Sequence, residues 1–267
     1  MIKATAIRDM QGNWWRALLL SFIESAIVVW IVSFLPLRIP SEQEMLAVNG
    51  DTVKLLQSML PKEITPKVLM SVGVTVLLYL FAMAPFGIGK CKYFLKAARG
   101  EKATLLDVFS VYANLKTVFS SILLSVITTI FTTLSFVVCM IIPVGMRFAA
   151  LWQESILLYE ASTILSMAFA VVFIVWISRY RFISYIYAND EKGAFSAIYK
   201  YMKYMKKRNG ECLALGASYL IWYFLMWLMP FLSFVYLCLS STVYAKYTYR
   251  FRGELSFGEL ENLPPEM

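Results

Sequence analysis

Glu24 is the acidic residue whose surroundings in the sequence point most directly to chemistry. It lies between Ser21 and Ser25, inside an apolar run that covers residues 17–35. A charged side chain near the centre of a bilayer costs roughly 2.5–3.5 kcal/mol on insertion scales, so we expect Glu24 to face other helices and not lipid. Two interpretations stay open: a structural hydrogen bond to a hydroxyl group on a neighbouring helix, or a site linked to ion or proton movement.

A second group of polar side chains lies in the third apolar run, where residues 128–133 include four threonines. Their hydroxyl groups could line a polar path through the membrane, although threonine hydroxyls more often bond back to their own helix. Glu24, Ser21, Ser25, Thr128 and Thr132 together form the candidate intramembrane polar site.

Residues suited to catalysis or metal binding are scarce in this sequence. It contains no histidine, its four cysteines have no Cys-x-x-Cys spacing, and no Gly-x-Ser-x-Gly motif occurs. The adjacent acids Asp190 and Glu191 lie at the start of a predicted helix, where negative side chains interact favourably with the positive end of the helix dipole. This structural role is favoured over a role in acid–base chemistry. The sequence therefore predicts a protein that is not an enzyme, with no catalytic residues, metal site or cofactor.

Six long apolar runs must position these side chains, and each is close to the ~20 residues that a helix needs to cross ~30 Å of hydrocarbon. The runs cover 17–35, 68–88, 118–142, 161–177, 213–229 and 231–244, with Pro230 favouring a hairpin between the last two. The chain is 60% hydrophobic with a mean hydropathy of +0.65, whereas soluble domains are about half apolar. We expect an all-α membrane protein with six transmembrane helices, made of one integral membrane domain (1–253) and a short acidic cytoplasmic tail (254–267).

The basic residues lie mainly on one side of the expected membrane. Twenty of the 25 Lys and Arg residues fall before the first run, after the sixth, or in the second and fourth gaps between runs. Because short cytoplasmic loops retain Lys and Arg, both termini should be cytoplasmic in a multi-pass protein of the cell membrane. The net charge of +8 follows this sidedness and forms no single groove, so it does not indicate a nucleic-acid partner.

Amphipathic segments are expected along the cytoplasmic surface of the membrane. Residues 1–13, 104–117 and 191–208 each combine an apolar and a polar face, and breaks follow at Gly12-Asn13, Asn114 and Asn209-Gly210. This spacing suggests three units, each a surface helix followed by a hairpin of two spans. Candidate contacts to anionic lipid head groups are Lys200, Lys203, Lys206, Lys207 and Arg208.

Several motifs resemble those of a group of bacterial integral membrane proteins, the domain-of-unknown-function family nine-seven-five. They are Gly12-Asn-Trp-Trp-Arg-Ala17, Ala84-Pro-Phe-Gly-Ile-Gly-Lys90, Tyr93-Phe-Leu-Lys-Ala-Ala-Arg-Gly-Glu101, Leu106-Asp-Val-Phe109 and Tyr185-Ile-Tyr-Ala-Asn-Asp190. The family is similar in layout to the membrane part of some glycerophosphodiester phosphodiesterases, and the resemblance implies fold and location but no reaction. It usually has a Pro-Gly break where this chain has residues 175–178, so the fourth helix should run straight here.

Two classes of function follow from these observations. The first is a non-enzymatic bacterial membrane protein that organises lipid or a membrane partner complex. The alternative is a small transporter or channel with an ion- or proton-linked step at Glu24. The expected partners are the lipid bilayer with its anionic head groups and, in the first case, another membrane protein.

Overall fold

The computed structural model describes residues 13–36, 65–190, 193–222, 225, 229 and 232–256, and its side-chain detail excludes 205–207 and 249–256. Every regular element in these ranges is helical, which confirms the all-α prediction. A π-helical segment, Tyr79–Met83, joins the second helix to the third, and a 3-10 helix, Ser110–Ala113, follows the fourth. The α-helices are α1 (Trp14–Val32), α2 (Pro66–Leu78), α3 (Ala84–Ala98), α4 (Leu105–Phe109), α5 (Leu115–Trp152), α6 (Ile156–Ser178), α7 (Arg181–Asp190), α8 (Ala194–Ala217) and α9 (Leu232–Ser256).

Four helical stretches are long and apolar enough to cross a membrane. They are Trp14–Val32, Pro66–Ala98, Leu115–Trp152 and Ile156–Asp190, and they confirm the first four predicted runs as candidate spans. The predicted fifth run and Pro230 fall partly or wholly outside the described residues. The sixth run lies within α9, which packs against α1, α3 and α7. A fifth and a sixth span therefore stay predictions.

The centre of the bundle is α3, which packs against α4, α5, α7 and α9. Its aromatic side chains Phe86, Tyr93 and Phe94 are fully buried. Gly89 lies so close to α4 that a Cβ atom there would stand 1.9 Å from the carbonyl oxygen of Val108. Glycine is therefore required at this crossing, because no larger residue permits the same approach of the two backbones.

The helices α5 and α6 form a long hairpin joined by the turn 153–155. Glu154 has a positive φ of 47° in this turn, and the Ser155 side chain caps α6 by accepting the amide of Leu158. Most of the large apolar side chains of α5 are exposed, among them Ile130, Leu134 and Val138. Its apolar side chains therefore face outward, as expected for a helix surrounded by lipid.

The end of the bundle at which α1 begins and α3 ends is called the basic end here. Arg16, at the start of α1, donates a hydrogen bond to the carbonyl of Ala103, which follows α3, so the two helices run antiparallel. Basic side chains of α3 and of the segments next to it gather at this end. They include Lys92, Lys96, Arg99 and Lys102.

The helices of the second and fourth predicted spans are each interrupted by a local change in backbone structure. Pro85, near the start of α3, is preceded by the π-helical segment, because proline lacks the amide that an α-helical turn would use there. The predicted fourth span is not one straight helix: α6 ends at Ser178, the chain turns through residues 179–180 with tight i→i−3 hydrogen bonds, and α7 begins at Arg181. A Pro-Gly pair is therefore not needed for this break.

The predicted surface segments also differ in detail. The segment 104–117 is not one continuous surface helix: it contains the short helix α4, the 3-10 helix and the first residues of α5. Asn114 then caps α5 by accepting the amide of Lys116 at 3.0 Å. The helix is interrupted next to the expected break at Asn209-Gly210: the backbone of Arg208 is not helical (φ −133°, ψ 24°), and a second helical part then continues to Ala217 within α8. Residues 1–12 lie outside the described residues, and the three-unit repeat stays a prediction, as does the domain boundary at 253.

Candidate functional site

Glu24 forms an ion pair with Lys90 inside the bundle. The Lys90 ammonium donates to the Glu24 carboxylate at 2.5 Å, and the side chains are 10% and 23% exposed, respectively. Glu24 lies ten residues into α1 and Lys90 eight residues before the end of α3, so both are about 12–15 Å from the basic end. The partner of Glu24 is therefore an ammonium group and not the hydroxyl that the structural interpretation expected.

This ion pair lines a cavity of about 270 Å³ between five helices. The cavity walls come from α1, α3, α5, α7 and α9, with Met83 contributed by the end of the π-helical segment. The charged residues at its wall are Glu24, Lys90 and Arg181, and the polar ones are Ser121, Ser125, Thr128, Ser184, Tyr185, Ser241 and Tyr244, with Cys91 beside them. The cavity wall thus combines charged and polar groups with apolar side chains such as Ile88, Leu124 and Leu237.

Arg181 is a second basic residue at the cavity wall. It is the first residue of α7, directly after the turn that interrupts the fourth span. Its guanidinium carbon lies 5.8 Å and 5.9 Å from the ring centroids of Tyr236 and Tyr244, within the range of cation–π attraction. The guanidinium of Arg181 therefore lies against two aromatic rings of α9 at the cavity wall.

The hydroxyl groups on α5 bond to their own helix and still face the cavity. Ser121 donates to the carbonyl of Val118 at 2.7 Å, and Thr128 donates to those of Leu124 and Ser125 at 2.9 and 3.0 Å. A hydroxyl that donates its proton in this way keeps its oxygen lone pairs as acceptors. These residues can therefore accept hydrogen bonds from a molecule bound in the cavity without a change in helix structure.

The five predicted residues of the intramembrane site separate into two groups. Glu24 and Thr128 line the cavity. Ser21 is buried, with its hydroxyl 3.4 Å from the sulfur of Cys238, and Ser25 donates to the carbonyl of Ser21 at 3.1 Å. Thr132 lies one turn beyond Thr128 and does not reach the cavity wall. Ser21 therefore contributes to the contact between α1 and α9, and Ser25 bonds within α1.

Two charged residues of the site, Lys90 and Arg181, were assigned to cytoplasmic loops by the sequence analysis. The runs end near them, but the helices continue: α3 to Ala98 and α7 to Asp190. A usable signal was the single acid inside a span, because an intramembrane carboxylate needs a basic partner at the same depth on a neighbouring helix. No pattern in the sequence indicated that Ser184 of α7 and Ser241 of α9 would lie at the cavity wall.

The candidate contacts to lipid head groups lie at the basic end, and some of them form ion pairs with acidic side chains. Lys200 forms an ion pair with Asp190, and Arg208 pairs with Glu211 at 3.6 Å. Lys203 is exposed. The side chains of Lys206 and Lys207 lie outside the described detail. The lipid-contact prediction therefore stays a prediction.

An acid–base pair links α3 to α4 at the same end. Lys96 donates to the Asp107 carboxylate at 2.6 Å, and the other carboxylate oxygen accepts the backbone amide of Thr104 at 2.8 Å. Thr104 and Asp107 thus form a capping box at the start of α4. Burial alone would raise the pKa of Asp107, but the hydrogen bonds from Lys96 and Thr104 outweigh it and lower the pKa below its usual value.

Comparisons with known proteins add no relative to this description. No family model, curated protein or solved structure matches the chain. The resemblance to family nine-seven-five therefore rests on the sequence motifs alone and stays a prediction. Any conclusion about function has to come from the cavity and the residues around it.

Proposed function

We propose that this protein is a small bacterial membrane transporter that binds a polar solute in the central cavity. The observation that carries the proposal is the buried Glu24–Lys90 pair next to Arg181 at the cavity wall. Burying ionised side chains costs free energy, and a protein that only organised lipid would have no use for them. Ionisable residues that face a cavity within a membrane bundle mark substrate or ion pathways.

The orientation proposed for this transporter follows the distribution of basic residues. The basic end would face the cytoplasm, with both termini on that side and the turn 153–155 on the other. The cavity would then lie nearer the cytoplasmic surface. The protein would bind and move its solute without a chemical reaction, which agrees with the scarcity of catalytic residue types in the sequence.

The ion pair would supply the coupled step of transport. A cation that reached the Glu24 carboxylate would compete with the Lys90 ammonium, which lies 2.5 Å from it. The ammonium would then be available to a solute anion or to water in the cavity. Ion binding at Glu24 and solute binding at Lys90 would in this way favour each other.

Cysteine accessibility tests whether the cavity is open to water. Ser125→Cys lies at the cavity wall, and Ile130→Cys lies on the same helix with its side chain 60% exposed on the outer surface of the bundle. Both are made in a variant whose native cysteines are alanine, and membrane-impermeant thiol reagent is added to cells and to inverted vesicles.

We expect position 125 to react from at least one side and position 130 to stay unmodified. The thiolate is the reactive form, and it does not form in hydrocarbon. If position 125 is as unreactive as position 130 from both sides, the cavity is closed to water and the transporter proposal is wrong.

Lipid organisation is kept as a second candidate because of one face of α8. Phe195, Tyr199 and Met202 follow each other at helical spacing and are 70%, 67% and 55% exposed, next to Lys203. Such a face suits insertion between lipid head groups. Mass spectrometry of lipids that copurify in mild detergent tests this: anionic lipid should be enriched with the wild type and reduced in Lys203→Glu, whereas equal lipid profiles would contradict it.

A further inference from the structure

We infer that Arg179, directly after α6, binds the phosphate group of an anionic phospholipid at the surface of the membrane. The binding site, called the Arg179 site here, is formed by four residues: Trp176, Arg179 and Tyr180 and, from α8, Asn209. None of them lines the central cavity. Lipid binding here is therefore separate from the proposed transport of a solute and does not depend on it.

Arg179 carries a positive charge, and the groups that it contacts are neutral. Its guanidinium donates hydrogen bonds to the side-chain oxygen of Asn209 at 3.2 Å and to the hydroxyl of Tyr180 at 3.5 Å. Within the described ranges no carboxylate forms an ion pair with it, and Glu211, two residues after Asn209, pairs with Arg208 instead. A half-buried cation that faces only neutral groups is stabilised by an anion from outside the protein.

The aromatic rings of the Arg179 site fix the orientation of the guanidinium. Its central carbon lies 3.3 Å from the ring centroid of Trp176 and 5.2 Å from that of Tyr180, both within the range of cation–π attraction. A guanidinium donates in its own plane, so a ring against its face leaves the donors at its edge available. The terminal nitrogens carry four N–H groups, and the two hydrogen bonds above use two of them. The other two can donate to the oxygens of a phosphate.

The Arg179 site lies where the apolar runs place the boundary between hydrocarbon and head groups. The fourth run, 161–177, ends just before Arg179, and the predicted fifth run, 213–229, begins just after Asn209. The hydrogen bond between these two residues brings both boundaries to the same level. This gap between runs is expected on the cytoplasmic side, where basic pockets between membrane helices bind anionic head groups. A lipid phosphate is therefore the anion available at the depth of Arg179.

The surface next to the Arg179 site suits the acyl chains of the same lipid. Arg179 keeps helical backbone angles (φ −66°, ψ −31°), so Val172, two turns earlier, lies on the same face. Val172 is 57% exposed, and its neighbour Val171 is 45% exposed. A free phosphate ion would gain nothing from this apolar surface, whereas a phospholipid contacts it with its chains while its phosphate reaches Arg179. These residues thus favour a lipid over a soluble phosphate.

Native mass spectrometry of the full-length protein, purified in mild detergent, measures how many lipid molecules are bound and how tightly. The probes are phosphatidylglycerol, which is anionic, and phosphatidylcholine with the same acyl chains, whose phosphate is already paired with a choline ammonium. We expect the first phosphatidylglycerol to bind about tenfold more tightly than the first phosphatidylcholine, since its phosphate is free to form a charge-assisted hydrogen bond.

Variants connect this preference to Arg179. Arg179→Gln should weaken binding of the first phosphatidylglycerol about tenfold and leave phosphatidylcholine binding nearly unchanged, because the positive charge is lost. Arg179→Lys keeps the charge without the planar fork and should weaken binding about threefold. Arg147→Gln is the matched control, because Arg147 also contacts a tyrosine ring, at 4.8 Å, but is exposed and lies near the turn 153–155. It should change binding by less than about twofold.

Distinct outcomes overturn the Arg179 site. Equal affinities of the wild type for the two lipids, or unchanged phosphatidylglycerol binding in Arg179→Gln, would contradict it. If Arg179→Gln does not fold, Arg179→Lys decides instead, and unchanged binding in that variant overturns the site.

Inorganic phosphate and glycerol 3-phosphate, added as competitors, distinguish a lipid from a soluble ligand. Neither should displace phosphatidylglycerol at a concentration similar to that of the lipid, because neither has acyl chains. Displacement by either one would overturn lipid binding in favour of a soluble phosphate. The reactivity of Ser125→Cys tests the central cavity separately, so lipid binding and transport can fail independently.

Discussion

The distal hairpin, residues 129–172 of α5 and α6, and the basic end of the bundle use apolar residues in opposite ways. In the distal hairpin, large apolar side chains point outward: Ile130 is 60% and Ile164 70% exposed. At the basic end, Phe86, Phe94 and Phe182 are buried to within 1% of complete coverage. One chain therefore contains a region solvated by hydrocarbon and a region packed like the interior of a soluble protein.

This difference teaches where polar chemistry can be placed in such a molecule. Helices in lipid gain little from burying apolar surface, because lipid tails are as apolar as leucine, so contacts in the distal hairpin depend on shape. At the basic end, aromatic packing among α3, α7 and α9 encloses the ion pair and the cavity. The polar site is stable where the protein, and not lipid, surrounds it.

The largest expected effect of a mutation is at Lys90, in the packed region. Lys90→Met leaves the Glu24 carboxylate without its ammonium partner at a largely buried position. Breaking one side of a buried ion pair costs about 3 kcal/mol, at the low end of its range here because Glu24 is 23% exposed. Thermal or denaturant unfolding in detergent should show this as a lower free energy of unfolding.

A double-mutant cycle provides the control and compares the two regions directly. Glu24→Gln combined with Lys90→Met should recover most of the lost stability, because no charge is then left unpaired. In the distal hairpin, Arg147 donates to the Tyr159 hydroxyl at 2.9 Å and lies 4.8 Å from its ring centroid at the surface. The coupling of that pair should be below about 1 kcal/mol. Equal coupling at both sites would contradict the contrast drawn between the regions.

The sequence predicted the hydrocarbon-facing region well and the packed region poorly, for a physical reason. A long apolar run identifies a segment that is stable in the hydrocarbon of the membrane, and this property is enough to locate α1, α5 and α6 in the sequence. The packed region depends on which faces of different helices meet, and the spacing within one helix does not contain this information. Lys90 shows the difficulty: it follows an apolar run like a loop residue, yet α3 continues to Ala98 and keeps it buried.

Glu24 shows what could be predicted about the site. Its isolation in an apolar run identified it as a residue that faces other helices, and it does line the cavity. Its partner and the contribution of Arg181 required the antiparallel alignment of α1 with α3 and the turn before α7. Neither feature has a motif, since the turn at 179–180 forms without proline or glycine.

Two glycines sharpen the comparison at the level of backbone packing. Gly89→Ala places a methyl group 1.9 Å from the Val108 carbonyl oxygen unless the helices move apart. We expect a loss of about 2 kcal/mol in the free energy of unfolding, as for other overpacked sites. Gly145→Ala in α5 is the matched control, because nothing lies within 4 Å of the new Cβ atom there. It should stabilise the helix by up to about 1 kcal/mol. A tolerated Gly89→Ala would show that the α3–α4 contact is loose.

The smallest expected effect is at Asp107, at the edge of the packed region, and it depends on pH. The pKa of Asp107 is lowered in the folded protein, with the hydrogen bonds from Lys96 and Thr104 outweighing the effect of burial. Its contribution to stability is therefore fully present above the unfolded pKa of about 3.9 and is lost as the pH falls through the lower folded value.

Asp107→Asn should accordingly reduce the free energy of unfolding by about 1 kcal/mol at neutral pH, since the Lys96 side chain is 41% exposed and solvent screens the pair. The difference from wild type should shrink as the pH falls below about 4, where the wild-type carboxylate becomes protonated. Glu101→Gln is the control, because Glu101 is 49% exposed and lies 3.7 Å from Arg99, so its substitution should have little effect. Unfolding midpoints between neutral and acidic pH measure both variants. A constant difference for Asp107→Asn at every pH would mean that the amide disturbs helix capping and that the ion pair with Lys96 contributes nothing to stability. The Glu24–Lys90 pair would then be the ion pair that stabilises the packed region.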